Sequence, residues 1–256
     1  MEVKQGINDS FFYYKLCLLV LKMTDPINDL LTARDLIASS DNPSAQRVDT
    51  RLDRNFSDRI FLRPANPDSS EGLRFAYYLD QSAEGFFRFM LGRESESIIA
   101  AAFIDSSHAL SHENVVFAEV DTKIVGMSST FTEKQHRTFS DEPLLRAARR
   151  NAIRLKLVRT LFAPLWRILE TIPEGDFYIQ GIAIEPELRG TGIGSILMND
   201  IENRAKASES NRLSLDVSAK NDGARRFYKR LEMVDSSSWP NSRFLPTVFI
   251  RMSKYL

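Results

Sequence analysis

The sequence predicts an α/β fold, and three features of its hydrophobic pattern lead to this prediction. Short apolar runs typical of strands recur along the chain, and amphipathic segments with helical spacing separate several of them. Residues 115–120 and 124–131 flank the short polar segment 121–123, as the two strands of an antiparallel hairpin do. From residue 176 onward, strand-like and helix-like segments alternate.

Composition limits the size and the class of the protein. The chain has 256 residues, of which 43% are hydrophobic, enough for one full-sized core with an appendage. Lys plus Arg and Asp plus Glu both total 34, so overall charge gives no attraction to nucleic acid or an anionic membrane. A single cysteine, Cys17, cannot form an internal disulfide, which favours a reducing compartment and a cytoplasmic location.

The N-terminal region is predicted to be an arm or linker, residues 1–57, before a compact domain of residues 58–256. Residues 34–58 are rich in Asp, Ser, Asn and Arg with few large apolar side chains. The apolar run 16–21 is far too short to span a bilayer.

The first half of the domain reads as a strand, a helix pair and a hairpin. Residues 59–63 form a first strand that ends at Pro64, and residues 70–91 have helical spacing with a break at Gly85, which predicts two short helices. The hairpin strands 115–120 and 124–131 follow.

A basic stretch separates the two halves. Residues 144–169 have apolar positions at helical spacing and carry seven basic residues but no acidic one. A lid over an anionic substrate, a membrane-surface helix and a contact for an acidic partner are functional interpretations. The structural interpretation is a core-packing helix pair with a solvated basic face.

The second half predicts alternating strands and helices. Strands are predicted at residues 177–184, 213–217 and 244–252, and helices at residues 192–207 and 222–231.

The motif that carries chemistry lies in residues 181–195, where an apolar strand leads through a turn into a helix. Glycine occupies alternate positions there, Gly190, Gly192 and Gly194. Glycine lets the backbone approach a ligand closely, and a helix start offers unpaired N–H groups and the positive end of a dipole. With Arg189 as a further donor, these groups predict a pyrophosphate site, the alternative being a purely structural turn.

Two other phosphate motifs do not fit this turn. A P-loop needs Gly-Lys-Ser/Thr after the glycines, and residues 193–195 contain no lysine. A Rossmann fingerprint counted from Gly190 needs glycine at the sixth place, which is Ser195.

The spacing Arg189-x-x-Gly192-x-Gly194 after an apolar strand resembles the cofactor motif of the GNAT superfamily, Gln/Arg-x-x-Gly-x-Gly/Ala. Residues 221–228 then match the family's Asn-x-x-Ala-x-x-Phe-Tyr in the right order and spacing. The resemblance implies a central mixed, mostly antiparallel sheet flanked by helices. Residues 136–175 would be a helical insertion between the third and fourth strands, where the family usually has a short hairpin.

The resemblance also implies a site for acetyl-CoA as acyl donor. In the family, the strand that corresponds to Ile182, Ala183 and Ile184 pairs through its backbone with the pantetheine arm. The residues that would cradle the pyrophosphate are Arg189, Gly190, Thr191, Gly192, Ile193, Gly194 and Ser195. Asn221 resembles the family's side-chain contact to the cofactor arm, and the alternative for it is a helix cap.

Tyr228 resembles the residue that donates a proton to the departing CoA thiolate, and the alternative for it is a core tyrosine. A backbone N–H on the strand 182–184 is the expected oxyanion donor. Glu119 and Tyr178 are candidate general bases, with a surface carboxylate and a packed tyrosine as the alternatives.

The remaining chemistry-bearing residues predict no further site. The three histidines, at positions 108, 112 and 136, lie in polar stretches and are predicted to be scattered surface residues. No cluster of Cys, His and carboxylates with metal-ligand spacing occurs in the sequence.

The function that the resemblance implies is transfer of an acetyl group from acetyl-CoA to a primary amine. Direct attack in a ternary complex is expected, because Cys17 lies outside the domain and offers no covalent intermediate. A small-molecule amine is the preferred acceptor, and neither nucleic-acid binding nor stable membrane insertion is expected. Formation of a homodimer is left as an open alternative. The alternative from another class is a non-catalytic acyl-CoA-binding sensor or interaction module.

Overall fold

A computed structural model of the chain describes residues 57–161, 171–240 and 246–256. The predicted arm, except Ser57, lies outside these residues, as does Cys17. The domain boundary at residue 58 therefore stays a prediction.

The described residues form seven strands and eight α-helices. The strands are β1 Ile60–Pro64, β2 Val115–Val120, β3 Lys123–Thr132, β4 Asp176–Ile184, β5 Arg212–Ser218, β6 Val234–Trp239 and β7 Phe249–Tyr255. The helices are α1 Ser69–Ser82, α2 Phe86–Leu91, α3 Ser95–Phe103, α4 Glu133–His136, α5 Glu142–Ala148, α6 Asn151–Leu161, α7 Ile193–Ala207 and α8 Asp222–Arg230. They divide into a larger compact unit, residues 57–215 with 253–256, and a smaller one, residues 216–252.

The larger unit contains strands in the order β1-β2-β3-β4-β5. The first four pair antiparallel, and β4 pairs parallel with β5. The predicted mixed, mostly antiparallel sheet is thus confirmed. The hairpin turn is also confirmed, and its left-handed residues are Asp121 (φ 50°) and Thr122 (φ 65°).

Helices cover both faces of this sheet. On one face, Ile193 and Leu197 of α7 pack against Ala118 and Val125. On the other face α1 approaches closely, since a Cβ added to Gly181 of β4 would lie 2.6 Å from Ser82 Oγ. The sheet is therefore enclosed between α7 and α1 in the region of β4.

The predicted break at Gly85 is confirmed, because this residue is left-handed (φ 79°) and separates α1 from α2. The next helix, α3, was not predicted. Residues 98–103 of this helix, Ser95–Phe103, are all apolar, so apolar side chains occur around most of its circumference. The sequence therefore lacks the one-sided pattern that identifies a surface helix.

The basic stretch forms α5 and α6, and the predicted insertion between β3 and β4 is confirmed. Its side chains bind neighbouring elements: Arg146 Nη2 donates to Asp105 Oδ2 in the loop after α3 (2.8 Å), and Arg154 Nη2 donates to the carbonyl oxygen of Phe89 in α2 (2.8 Å). Arg149 and Arg150 are exposed. This agrees with the structural interpretation, a packed helix pair with a solvated basic face. Residues 162–170 lie outside the described residues.

The smaller unit contains the end of β5, all of β6 and the first part of β7, in the sheet order β5-β7-β6, together with helix α8. Arg251 and Asp216 form a partly buried ion pair there (2.6 Å). Strand β6 was not predicted, because its exposed residues, Val234–Ser238, include three consecutive serines and no apolar alternation. The predicted last strand, 244–252, begins at Phe249 in the structure.

Candidate active site

The glycine turn has the backbone that only glycine adopts without strain. Gly190 has φ 81°, and Gly192 has φ 99° and is the N-cap of α7. A Cβ added at either position would meet no atom within 4 Å. These glycines are therefore required by backbone conformation, and the space in front of them is open to a ligand.

The turn also presents unpaired backbone donors. The N–H groups of Ser195 and Ile196 donate to the carbonyl oxygen of Gly192 (3.0 and 3.1 Å), and α7 has no side-chain N-cap. Within the described part of the chain, the N–H groups of Gly192, Ile193 and Gly194 have no hydrogen-bond acceptor. Three amides and the positive end of a fifteen-residue helix thus converge on the same open space.

Arg189 is exposed beside this turn, and its Nη2 donates to Gln81 Oε1 of α1 at 3.2 Å. The guanidinium is therefore oriented by a neutral partner and keeps its charge available for an anion.

Strand β4, which leads into the turn, directs alternate backbone groups to its two edges. The N–H of Glu185 donates to the carbonyl oxygen of Val125 (2.9 Å), and the register pairs Ala183 with Met127. Since hydrogen-bonded and non-hydrogen-bonded pairs alternate, Ala183 directs its N–H and C=O to β3. The corresponding groups of Ile182 and Ile184 point to the opposite edge.

That opposite edge is open along its second half. Among residues 57–161, 171–240 and 246–256, β5 pairs with β4 at only three positions, the last of which joins Tyr178 to Ser214. Beyond this pair, the rest of β4 has no β5 partner among the described residues. Of the three residues predicted to bind the pantetheine arm, Ile182 and Ile184 therefore have backbone groups directed to the open edge, whereas those of Ala183 pair with β3.

A polar cluster fixes the junction between β4 and the turn. Glu185 Oε1 accepts hydrogen bonds from Arg74 Nη2 (2.8 Å) and from the Tyr78 hydroxyl (2.9 Å), and the Tyr78 hydroxyl also lies 3.1 Å from the carbonyl oxygen of Ile124. Burial and the hydrogen bond to Glu185 raise the pKa of Tyr78 well above its usual value. Sequence reasoning missed this cluster, since its partners lie in separate elements far apart in the chain.

The candidate bases have partners of their own. Glu119 Oε1 forms an ion pair with Arg63 Nη2 (2.8 Å), and Arg63 also binds the buried Glu71. A proton on Glu119 would weaken this pair. Tyr178 is buried with its ring centroid 5.6 Å from that of Phe131. The assignment of a general base to either residue stays a prediction.

In the smaller unit, Asn221 is the N-cap of α8, and its Oδ1 accepts a hydrogen bond from the N–H of Ala224 (2.9 Å). The helix-cap alternative is thus realised, and a cofactor contact from the same side chain stays a prediction. Tyr228 is buried in the same helix, and burial raises its pKa to about 12. Within the described residues, its hydroxyl has no hydrogen-bond partner.

The histidine prediction was wrong for His108, which is only 2% exposed. Its Nε2 donates to the carbonyl oxygens of Ala102 (2.8 Å) and Asp105 (3.1 Å), and its Nδ1 accepts from the N–H of Leu110. Burial lowers the pKa of His108 below its usual value. It joins the end of α3 to the following loop, a structural role that the polar local sequence concealed.

No group of three or more His, Cys, Asp or Glu side chains arranged to hold a metal occurs in the part of the chain that the structure describes. In the same part, none of the helices combines the length and the apolar character needed to cross a bilayer.

Comparison with known proteins agrees with the geometry. A model of the acetyltransferase (GNAT) family matches residues 76–233. Among solved structures, a protein described as an acetyltransferase is similar, with a TM-score of 0.53 and 19% identity over 76% of this chain and 98% of that one. An N-acetyltransferase from Staphylococcus aureus Mu50 gives a TM-score of 0.52 and 15% identity over 76% of this chain and all of that one. At these identities the two structures support the fold alone. No curated protein matches the sequence significantly.

Proposed function

Because this chain belongs to the GNAT acetyltransferase family, we propose that it transfers an acetyl group from acetyl-CoA to a primary amine by direct attack in a ternary complex. The observation that carries the proposal is the continuity of the open edge of β4 with the uncapped glycine turn of α7. One extended ligand with an anionic end and an amide-containing arm fits both features.

The turn suits the pyrophosphate. Backbone N–H groups of Gly192, Ile193 and Gly194 have no acceptor in the described residues, and an anion would supply one. Arg189 adds a charge-assisted donor. Gly190 leaves the approach open, Thr191 lies between the glycines, and the hydroxyl of Ser195 is exposed at the first turn of α7.

The open edge suits the pantetheine arm. The arm contains two amides, and the outward N–H and C=O groups of Ile182 and Ile184 can pair with them as an added strand would. This contact is independent of side-chain identity.

The reaction requires a proton donor for the leaving group. As the amine nitrogen bonds to the thioester carbon and the carbon–sulfur bond breaks, the sulfur takes up a proton, which we assign to the Tyr228 hydroxyl. The raised pKa of Tyr228, about 12, keeps the hydroxyl protonated at neutral pH. The ammonium proton of the acceptor leaves to a base, for which Glu119 and Tyr178 stay candidates.

The acceptor is proposed to be a small-molecule primary amine, and the protein to act in the cytoplasm. Arg149 and Arg150 of the insertion are exposed, and their charge alone does not identify a substrate.

The experiment is thiol release from acetyl-CoA, followed with a disulfide reagent, in the presence of a pooled panel of primary amines. We expect release that depends on amine and enzyme, with mass spectrometry identifying the acetylated product. Acetyl-CoA binding without release at any amine concentration would contradict the enzymatic proposal and favour the acyl-CoA sensor. A panel of secondary amines and alcohols is the chemical control.

A further inference from the structure

Strand β4 contains a bulge at the point where it leaves β5. The register pairs Gly181 with Ser129 and Ile179 with Thr130, so Gln180 is an extra residue without a partner in β3. An inserted residue of this kind re-aims the side chain that it carries, and bulges are concentrated next to active sites. The bulge in β4 therefore sets the orientation of the Gln180 side chain.

A buried serine holds this side chain. The Ser129 hydroxyl is completely buried and donates to Gln180 Oε1 at 2.8 Å. The hydrogen bond holds the carboxamide through its oxygen and leaves the Nε2 donor unused by Ser129. Across the described ranges 57–161, 171–240 and 246–256, Nε2 has no hydrogen-bond acceptor, and it is not completely buried. The result is an oriented N–H donor without a partner in the protein.

The position of Gln180 relates this donor to the open edge of β4. Gln180 is two residues beyond the last pair with β5, which joins Tyr178 to Ser214. A ligand that begins at the glycine turn and runs back along the edge passes Ile184 and then Ile182 before it reaches Gln180. At the usual rise per strand residue, Ile184 and Gln180 are about 13 Å apart. On this path, the end of the arm that bears the reacting carbon would lie beside Gln180.

We propose that Gln180 is a further catalytic residue, whose Nε2 donates a hydrogen bond to the carbonyl oxygen of the acyl thioester. This inference rests on the proposed function. When the amine nitrogen bonds to the carbonyl carbon, the carbon–oxygen π electrons move to the oxygen, and the Nε2–H bond stabilises that charge without transferring its proton. The electrons return as the carbon–sulfur bond breaks, the thiolate is protonated and the ammonium proton goes to the base.

Binding measurements test the contact without any acceptor. We expect wild-type protein to bind acetyl-CoA more tightly than CoA, and Gln180→Leu to weaken acetyl-CoA about fivefold while CoA affinity is unchanged, as loss of one hydrogen bond implies. In infrared difference spectra with acetyl-CoA labelled with ¹³C at the carbonyl, the C=O stretch should shift to lower frequency on wild-type protein and return toward the solution value on the variant.

Turnover with the best amine of the panel supplies the second readout. Gln180→Leu should lower kcat about 10²-fold, with the KM values little changed, because the bond strengthens in the transition state. Gln180→Glu keeps the acceptor for Ser129 but removes the Nε2 donor, so it should lower kcat at least as much. Ser129→Ala releases the carboxamide and should have a smaller effect in the same direction.

The matched control is Ser128→Ala, an equal truncation at the neighbouring buried residue of β3, whose hydroxyl accepts from Arg204 of α7. It should leave the carbonyl stretch and kcat at wild-type values. An unshifted stretch in wild-type protein that binds acetyl-CoA, or Gln180 variants with wild-type stretch and kcat, would overturn the assignment of Gln180 alone. Failure of wild-type protein to bind either acetyl-CoA or CoA would instead refute the proposed function, and this inference with it.

Discussion

Arg74 Nη2 lies 2.8 Å from Glu185 Oε1, which connects helix α1 to the residue that directly follows strand β4. The contact spans 111 positions of sequence. The Tyr78 hydroxyl shares the same carboxylate oxygen and is completely buried, whereas the neighbouring Tyr77 is exposed. The start of the glycine turn is therefore fixed from outside the turn.

Tyr78→Phe should lower the free energy of unfolding by about 1–2 kcal/mol, because it leaves the partners of a buried hydroxyl unsatisfied. Tyr77→Phe is the matched control. Its hydroxyl lies 3.4 Å from Glu185 Oε2 at the surface, and it should change stability by less than about 0.5 kcal/mol. Chemical denaturation of both variants measures the difference, and equal effects would show that the buried cluster has no special role.

Gly192→Val should abolish CoA binding in a folded protein. Valine at φ 99° is strained, and its side chain would occupy the open space in front of the helix start. Gly85→Val is the control for strain alone, because Gly85 is also left-handed (φ 79°) but lies at the start of α2. Calorimetric titration with acetyl-CoA should show lost binding for the first variant and retained binding for the second. Wild-type affinity of Gly192→Val would remove the turn from the cofactor site.

Tyr228→Phe should lower kcat by roughly 10²- to 10⁴-fold where chemistry limits the rate, with acetyl-CoA affinity changed much less. Burial raises the pKa of Tyr228 to about 12, so the wild-type hydroxyl can donate across the usual assay range. Above the ordinary thiol pKa of about 8.5, a thiolate leaves without protonation, and the deficit should shrink. Near-normal turnover at every pH, with a loss of about 1 kcal/mol of stability, would indicate a packing role.

Loss of stability on acidification should be reduced in His108→Gln. Burial lowers the pKa of His108 in the folded protein below the unfolded value of about 6.5, so protonation favours unfolding. The contribution of neutral His108 to the free energy of unfolding is complete above pH 6.5. It is lost as the pH falls below this value, by at most about 1.4 kcal/mol per pH unit. Denaturation between pH 7.5 and 5 measures this slope. Three carboxylates also have a lowered pKa: Asp68, Glu71 and Glu113. Their protonation reduces stability only below about pH 4.5, which lies outside the measured pH range. An unchanged slope in His108→Gln would contradict the assignment.

Replacing both Arg149 and Arg150 with Gln should leave turnover and its salt dependence unchanged and shift stability by less than about 0.5 kcal/mol. Both residues are exposed, whereas Arg146 and Arg154 have partners on neighbouring elements. Steady-state kinetics at low and high ionic strength test this. A salt-sensitive rise in the acceptor KM would show that the insertion recruits an anionic substrate.

Features encoded by local sequence were predictable. Gly190 and Gly192 identified the turn, because their spacing between a strand and a helix has few physical explanations, and Asp121 and Thr122 marked the hairpin. Helix α3 escaped prediction because burial on most sides removes the amphipathic pattern, and β6 because an exposed edge strand needs no apolar alternation.

The contacts within the site depend on tertiary structure and could not be read from the sequence. The bulge at Gln180 arises from the register between β3 and β4, and nothing local distinguishes a bulged glutamine from a paired one. The only signal was a polar residue within an otherwise apolar strand. The prediction for His108 failed for a related reason, because its polar sequence neighbours indicated an exposed side chain whereas the ring is buried.

Helix α1 is attached along its whole length. In its first turn Glu71 binds Arg63 and Asn66, and a Cβ on Gly72 would lie 2.8 Å from the Ala100 carbonyl oxygen. In its middle Arg74 and Tyr78 hold Glu185, and at its end Gln81 accepts from Arg189. Such a helix cannot swing as a gate, so any opening that admits an acceptor on this side has to come from loop movements. Its central amides should accordingly be among the slowest of the larger unit to exchange with deuterated water.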